Sequence, residues 1–258
     1  MHRPWTLVAC GAGCWLVSPD AAARQDPAAD GARAILELES DRAVRYVGES
    51  FSVRTVFGFP EGWAQGHLVP LFRQDLELSL ELELPSPSVA GVLEPLSAAL
   101  EALVPADAGT PRLVVDGAVA RARSLGIVQR AGEPFELHAL ERSFRAVAPG
   151  RAELSGARMR WASASGFRED LLAGRVPVDR AEHALAAPPL ALEVRALPDN
   201  GRPAGLTGAV GEFTVSARAE PRDVLLGALV RVTPAVRGSG RLEGLELFRR
   251  VVLPACLP

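Results

Sequence analysis

The stretch that constrains this chain most is DLELSLELEL, residues 75–84, in which leucines at 76, 78, 80, 82 and 84 alternate with acidic and seryl residues. A period of two places all the leucines on one face of an extended strand and Glu77, Glu81 and Glu83 on the other, whereas a helix would spread them around its axis. Such a strand needs a second apolar layer opposite it, so a fold of packed sheets is expected. The glutamates then read as a solvated face and not as a metal or acid–base pair.

The neighbouring sequence supplies further strands. ILELES (35–40) is one, and residues 50–57 put Phe51, Val53, Thr55 and Phe57 on a shared face. Strands are also expected over 113–120, 124–129, 135–140, 143–147 and 152–162, with Gly117, Gly126, Gly132, Gly150 and Gly156 as turns or bulges. The period changes over 88–104, where Val92, Leu93, Leu96, Leu100, Leu103 and Val104 predict a short amphipathic helix from about 95 to 104, stopped by Pro105. FREDLLAG (167–174) is read as one helical turn. The fold class is therefore all-β: tandem immunoglobulin-like antiparallel β-sandwiches, the first with a short helical insertion and the second incomplete.

Residues 190–211, LALEVRALPDNGRPAGLTGAVG, end one alternating strand in a run of Pro, Asp, Asn and Gly and lead into another, GEFTVSARAEP. This is domain punctuation. The expected organisation is a first sandwich over 35–197, a linker over 198–210 and a partial second sandwich over 211–258 with strands at 211–219, 224–234 and 245–253. An immunoglobulin-like sandwich uses about 100 residues. The second unit therefore either packs on the first or leaves an incomplete apolar core at Phe213 and Val215.

At the N-terminus, basic residues at 2 and 3, an apolar core over 5–17 and Ala21-Ala22-Ala23 have the layout of an export signal over 1–23, followed by a disordered Ala/Asp/Pro-rich leader over 24–34. The apolar run is too short for a bilayer span, which takes about 20 residues. A rival processing reads Leu7-Val8-Ala9-Cys10 as a lipobox with a lipidated Cys10. Removal of the signal takes Cys10 and Cys14 with it and leaves Cys256 alone, so a disulfide framework is excluded. A net charge of −3 argues against a nucleic-acid partner. Every basic side chain other than histidine is one of 28 arginines, with no lysine, which reads as codon bias and not binding logic.

Motifs for chemistry are sparse. Histidines fall at 2, 67, 138 and 183 without metal-ligand spacing. His138 is placed on the polar phase of its strand, beside Leu137, and expected exposed; His67 and His183 are placed in loops. Gly238-Ser239-Gly240 with Gly244 misses the dinucleotide spacing and is read as a hairpin turn, and Asp199-Asn200-Gly201 lacks the rest of a calcium loop. Ser163 and Ser165 lie outside any G-x-S-x-G, and Asp170, Asp179 and Glu182 form a loose acidic group. Trp161 is expected in the core with Met159 and Ala157, and Trp63, Trp161, Phe144 and Phe167 are grouped on the first sandwich. No catalytic, cofactor-binding or metal residue is assigned, and no cofactor is expected.

Three segments carry a family resemblance: the linker with Gly201-Arg202-Pro203 and GAVGEF (208–213), RYVGESFSVRTVF (45–57), and FRAVAPGRAELSGARMRW (144–161). Together they resemble the extracytoplasmic part of the BatD (aerotolerance, or oxygen tolerance) family, in scattered motifs over about residues 35–245. The resemblance implies tandem β-domains in the periplasm or cell envelope. It also implies a non-enzymatic role in stress or oxygen tolerance with von Willebrand A-domain partners and a MoxR-type ATPase, and membrane association through partners or a lipidated Cys10. Two other readings remain: a generic extracytoplasmic binding or adhesion module, and a hydrolase of unrecognised type in loops 170–183, whose mark would be Asp179, His183 and a hydroxyl gathered in one pocket.

Overall fold

All the leucines of the alternating stretch are buried, Leu80 and Leu82 completely, while Glu77 and Glu83 are exposed and Glu81 is half-buried; the strand expected over 75–84 is confined to Leu80–Glu83, with 75–79 irregular. The computed structural model describes residues 6–10, 13–17, 34–96, 110–172, 174–200, 210–221, 223, 225 and 229–240. Within them the chain is all-β. In order the strands are β1 (Thr6–Cys10), β2 (Gly13–Val17), β3 (Ile35–Ser40), β4 (Val44–Tyr46), β5 (Ser50–Pro60), β6 (Leu68–Val69), β7 (Leu80–Glu83), β8 (Leu93–Pro95), β9 (Arg112–Val115) and β10 (Ala118–Arg121). Then follow β11 (Arg123–Arg130), β12 (Glu133–Ala146), β13 (Gly150–Leu154), β14 (Arg158–Ser163), β15 (Phe167–Asp170), β16 (Gly174–Pro177), β17 (Ala181–Ala186), β18 (Leu190–Arg195), β19 (Gly211–Glu220) and β20 (Arg231–Gly240). One short helix, α1 (Trp63–His67), interrupts the strands after β5.

The first sheet runs β1-β2-β3-β5-β12-β11 with β8 on the flank of β12; the second runs β10-β9-β7-β14-β17 with β6 on β14. Their inner faces make one core: Leu36, Phe51, Val53, Phe57 and Phe144 from the first against Leu80, Leu82, Leu113, Met159 and Trp161 from the second. A small third sheet, β13-β18-β4, adds Ala152, Leu154, Leu192 and Val194 to that core. The pairings are antiparallel except for β7 with β9 and β18 with β4, so the expectation of a wholly antiparallel sandwich is corrected at those two places.

Beside the third sheet sits a buried cation. Arg45, 1 % exposed, donates through Nη1 to Glu49 (3.0 Å) and through Nη2 to the Ser40 hydroxyl (2.9 Å) and the Asp41 carboxylate, and its guanidinium lies 4.4 Å from the Phe51 ring centre. Glu49 is buried too and also accepts the Tyr46 N–H. Gly48 between them has φ 90°, open to glycine at no steric cost, and its N–H reaches the Ala146 carbonyl at 2.8 Å. The Val47 N–H bonds the Arg195 carbonyl, so this one turn ties β12 and β18 together.

Other expectations change in detail. Residues 135–140 and 143–147 are one long strand, because Glu141 and Arg142 continue the ladder opposite Arg54 and Val53 instead of turning. Residues 113–120 fold as a hairpin about Asp116-Gly117, and 152–162 split at Ser155-Gly156 into strands of different sheets. Residues 167–174 form no helical turn: β15 and β16 are a hairpin in which Asp170 accepts the Leu172 N–H, Gly174 has φ 68°, and the Arg175 guanidinium lies 3.5 Å from the Phe167 ring centre. The helix expected over 95–104 begins on a strand residue, since Pro95 ends β8 against Phe144; from residue 97 it lies outside the described residues. Gly238-Ser239-Gly240 is no turn but the end of β20, paired with Phe213, Glu212 and Gly211.

Ala34, assigned to the leader, is buried in the core. Residues 6–10 and 13–17, within the expected signal, pair with each other, and Leu16 and Val17 register against Ser40 and Glu39. In the second unit β19 and β20 form a hairpin, Val215 and Val232 are exposed, and β20 lies against β5. The strand expected at 245–253 lies outside the described residues.

Two outcomes follow for stability. Leu80→Ala should lower the unfolding free energy by about 2–5 kcal/mol, because the site is closed on all sides and leaves a cavity. Arg45→Met should cost about 3–5 kcal/mol by leaving buried Glu49 with only the half-exposed Arg42 at 3.5 Å, and Arg45→Met with Glu49→Leu should recover most of the loss, both read by urea titration.

Candidate functional site

β5 and β12 pair from Ser50 with Arg145 to Pro60 with Phe135, so their inner faces run the length of the sandwich. Phe51 stacks on Phe144 at one end. At the other end, about 26 Å away at 3.3 Å per residue, a ladder of rings begins. β14 pairs Trp161 with His183 on β17, and their rings stack at 5.3 Å. Trp161 meets Phe59 edge-on at 5.5 Å. α1 starts directly after β5, which folds Trp63 back over Phe59 at 4.9 Å. One helical turn later His67 also stacks on Trp63, at 5.1 Å. Trp63 and Trp161 thus meet through Phe59, while Phe144 is at the opposite end and Phe167 belongs to a small cluster with Val69, Ala162 and Ala164. The expected single aromatic group is split. Trp63, half-buried, is stacked on by both Phe59 and His67 and packs against the core.

The histidines after residue 2 all lie near this end. His67 Nδ1 is 3.0 Å from the Trp63 carbonyl, which as an acceptor requires the proton on Nδ1. His138 is buried, not exposed, which corrects the sequence reading: the inward phase of β12 is Glu136, His138, Leu140, Arg142 and Phe144, and Leu137 faces a second cluster on the back of the sheet with Val56, Phe135 and Ala139. The phase was readable from Leu140, Phe144 and Ala146. The His138 ring lies 5.7 Å from Phe57, its Nε2 4.0 Å from the Glu136 carboxylate, and its buried Nδ1 has no hydrogen-bond partner. Burial pushes its pKa down, against the pull of Glu136.

His183 Nε2 is 2.7 Å from Ser163 Oγ, and burial lowers its pKa as well, so a neutral imidazole touches a hydroxyl. A nucleophilic serine also needs an acid orienting the base. Asp179 does not supply it: its carboxylate accepts the Gly166 N–H (2.8 Å), the Ser165 N–H (3.1 Å) and the Ser165 hydroxyl, which hold its pKa down. Asp170 caps its hairpin turn and Glu182 pairs with Arg180 at 3.0 Å, so the loose acidic group is dispersed into local bonds. Among the described residues no three His, Cys, Asp or Glu side chains converge as metal ligands.

The sheet edges differ from one another. β11 ends the first sheet; it carries a bulge between Ser124 and Gly126, arginines at both termini, and exposed Leu125 and Ile127. β17 ends the second sheet in unbroken register with β14, and the alternate outward positions on it are Glu182, Ala184 and Ala186. Bulges and terminal charges are how edge strands resist pairing with another chain. β11 has both, whereas β17 has no bulge and carries its charge, the Arg180–Glu182 pair, at its first end only.

No protein-family model, curated protein or solved structure matches the chain.

The neutral, buried His138 sets a pH dependence. Its folded pKa lies below that of the unfolded chain, so its contribution is complete above about pH 6.5 and declines below it, at most about 1.4 kcal/mol per pH unit. Thermal melts of wild type and His138→Phe between pH 7.5 and 5 should show a steeper acid loss for wild type. Half-buried Glu37 and buried Glu39, whose carboxyls are raised by desolvation, act in the opposite sense and are common to both proteins.

Proposed function

We propose that this chain is a non-enzymatic, exported cell-envelope interaction protein built of immunoglobulin-like units. On this reading it resembles BatD and works with von Willebrand A-domain proteins and a MoxR-type ATPase in stress or oxygen tolerance. The observation that carries the interaction role is the β17 edge, unpaired on its outer side among the described residues and without a bulge, of the kind that accepts an extended segment from a partner. Asp179 is committed to its turn instead of to His183, which weighs for binding over hydrolysis. Export rests on the layout of residues 1–23, and the family reading on the three motif segments. One of these, RYVGESF, encloses the buried Arg45–Glu49 pair, which gives it a structural reason.

A hydrolase is the second reading, favoured by the 2.7 Å contact of Ser163 with His183. Affinity recovery from envelope extract with tagged mature protein separates the two. Von Willebrand A-domain proteins should be enriched on wild type and lost on the Ala184→Lys, Ala186→Lys double variant, whose melting temperature should be unchanged because both positions face solvent. Labelling of wild type, but not Ser163→Ala, by a fluorophosphonate would overturn the non-enzymatic assignment.

A further inference from the structure

We propose that the groove running along β17 and the outer face of the second sheet binds an extended peptide segment bearing a carboxylate, received by Arg158. This rests on the interaction reading above and names its ligand chemistry.

Two clefts meet here. One, of about 470 Å³, is lined by Glu83, Ser86, Asp116, Arg142, Ser155 and Arg158 among others; the next, of about 330 Å³, continues past Arg160, Ala184 and Ala186. Glu83, Arg158 and Ala186 belong to both. Strand register explains the pattern: across the sheet Glu83, Arg158 and Ala186 form one row, and Glu81, Arg160 and Ala184 the next.

The three guanidinium groups of the groove are in different states. Arg160 is paired with Glu81 at 2.9 Å. Arg142 is held by the Asp116 carboxylate and the Pro85 carbonyl. Arg158 is exposed, and among the described residues neither it nor Glu83 opposite has an ion-pair or hydrogen-bond partner. An unpaired guanidinium fork matches a carboxylate with two parallel hydrogen bonds. Three carboxylates around it, Glu81, Glu83 and Asp116, oppose a polyanion such as nucleic acid or an anionic membrane and tolerate a single negative group.

The floor suits a backbone. Ala184 and Ala186 raise nothing above Cβ beside the open β17 edge. Gly156, at the groove's end, lies so close to the chain after β17 that a Cβ there would stand 1.8 Å from the Ala187 carbonyl, which keeps that end low. The Ser86 and Ser155 hydroxyls, 3.3 Å apart, offer further donors at the wider cleft.

The test uses fluorescent, end-blocked heptapeptides of alternating alanine and valine carrying one central glutamate, or glutamine in its place, titrated against the purified protein by anisotropy. Wild type should prefer the glutamate peptide by about tenfold or more, the size expected of a charge-assisted fork. Arg158→Gln should erase the preference with an unchanged melting temperature, and Ile127→Lys on β11 should leave it intact. Equal binding of the two peptides, binding of neither, a preference surviving Arg158→Gln, or stronger binding to anionic vesicles would overturn the assignment. If wild type and Arg158→Gln recover the same envelope partner equally, the groove assignment is overturned and the interaction reading stands. If the glutamate preference holds and is lost in Arg158→Gln while no envelope partner is recovered, the groove assignment stands and the interaction reading falls.

Discussion

The structure depends on the ladder between β5 and β12. It spans all of β5, from Ser50 to Pro60, and β12 is buried on both faces over Leu137 to Leu140. With Cys256 the sole cysteine past residue 14, no internal disulfide holds the rest of the chain, so burial along this ladder must carry the fold. Its two ends set what surrounds them. Where Phe51 meets Phe144, the Arg45 turn closes over the end and links β12 to β18. Where Phe59 faces Glu136, α1 turns back and the ring ladder crosses to β14 and β17.

The back of the first sheet carries a second apolar cluster framed by ion pairs. Val56, Phe135, Leu137 and Ala139 are buried there, and around them Arg54 reaches Glu39 (3.6 Å) and Glu141 (3.5 Å) while Arg130 reaches Glu37 (3.6 Å). Burial raises the Glu37 and Glu39 carboxyls even beside these arginines. β20 lies against β5, and a two-stranded hairpin is marginal by itself. On this hairpin Val215 and Val232 are exposed among the described residues.

Much of the sandwich was legible because period two reports the inner face of a half-buried strand. The leucines at 76–84, the face of Phe51 to Phe57, and Trp161 with Met159 and Ala157 all fall where alternation puts them. The reading fails where that premise fails. On β12 both phases are buried, so Leu137 misdirected the phase and His138 was placed outside. The parallel pairing of β7 with β9 joins strands separated by 28 residues and leaves no local trace. α1 is too short to show a period, and FREDLLAG resembles a helical turn until Phe167 finds Arg175 across a hairpin. Of the candidate site, the Ser163–His183 contact and the ring ladder exist only once β14 and β17 pair. Neither can be seen in linear spacing.

The chain contains its own precedent for a carboxylate on an outer arginine. Where β9 begins, Arg112 donates through Nε and Nη2 to Glu77 at 2.9 and 2.8 Å, and its backbone N–H adds a third bond at 2.9 Å. That side-chain fork, with the N–H, draws the Glu77 carboxyl down to about 2 at the surface of the protein. The carboxylate is held because guanidinium geometry matches it; burial is not required. Arg158 presents the same fork on the neighbouring strand face with no acid of its own chain turned to it, although Glu83 stands directly opposite in register. A row that could close internally, as Glu81 and Arg160 do one step along, is instead left open beside an edge strand of alanines. An open ion-pair row and an unbulged edge at the same place are together what a strand-shaped, acid-bearing partner requires.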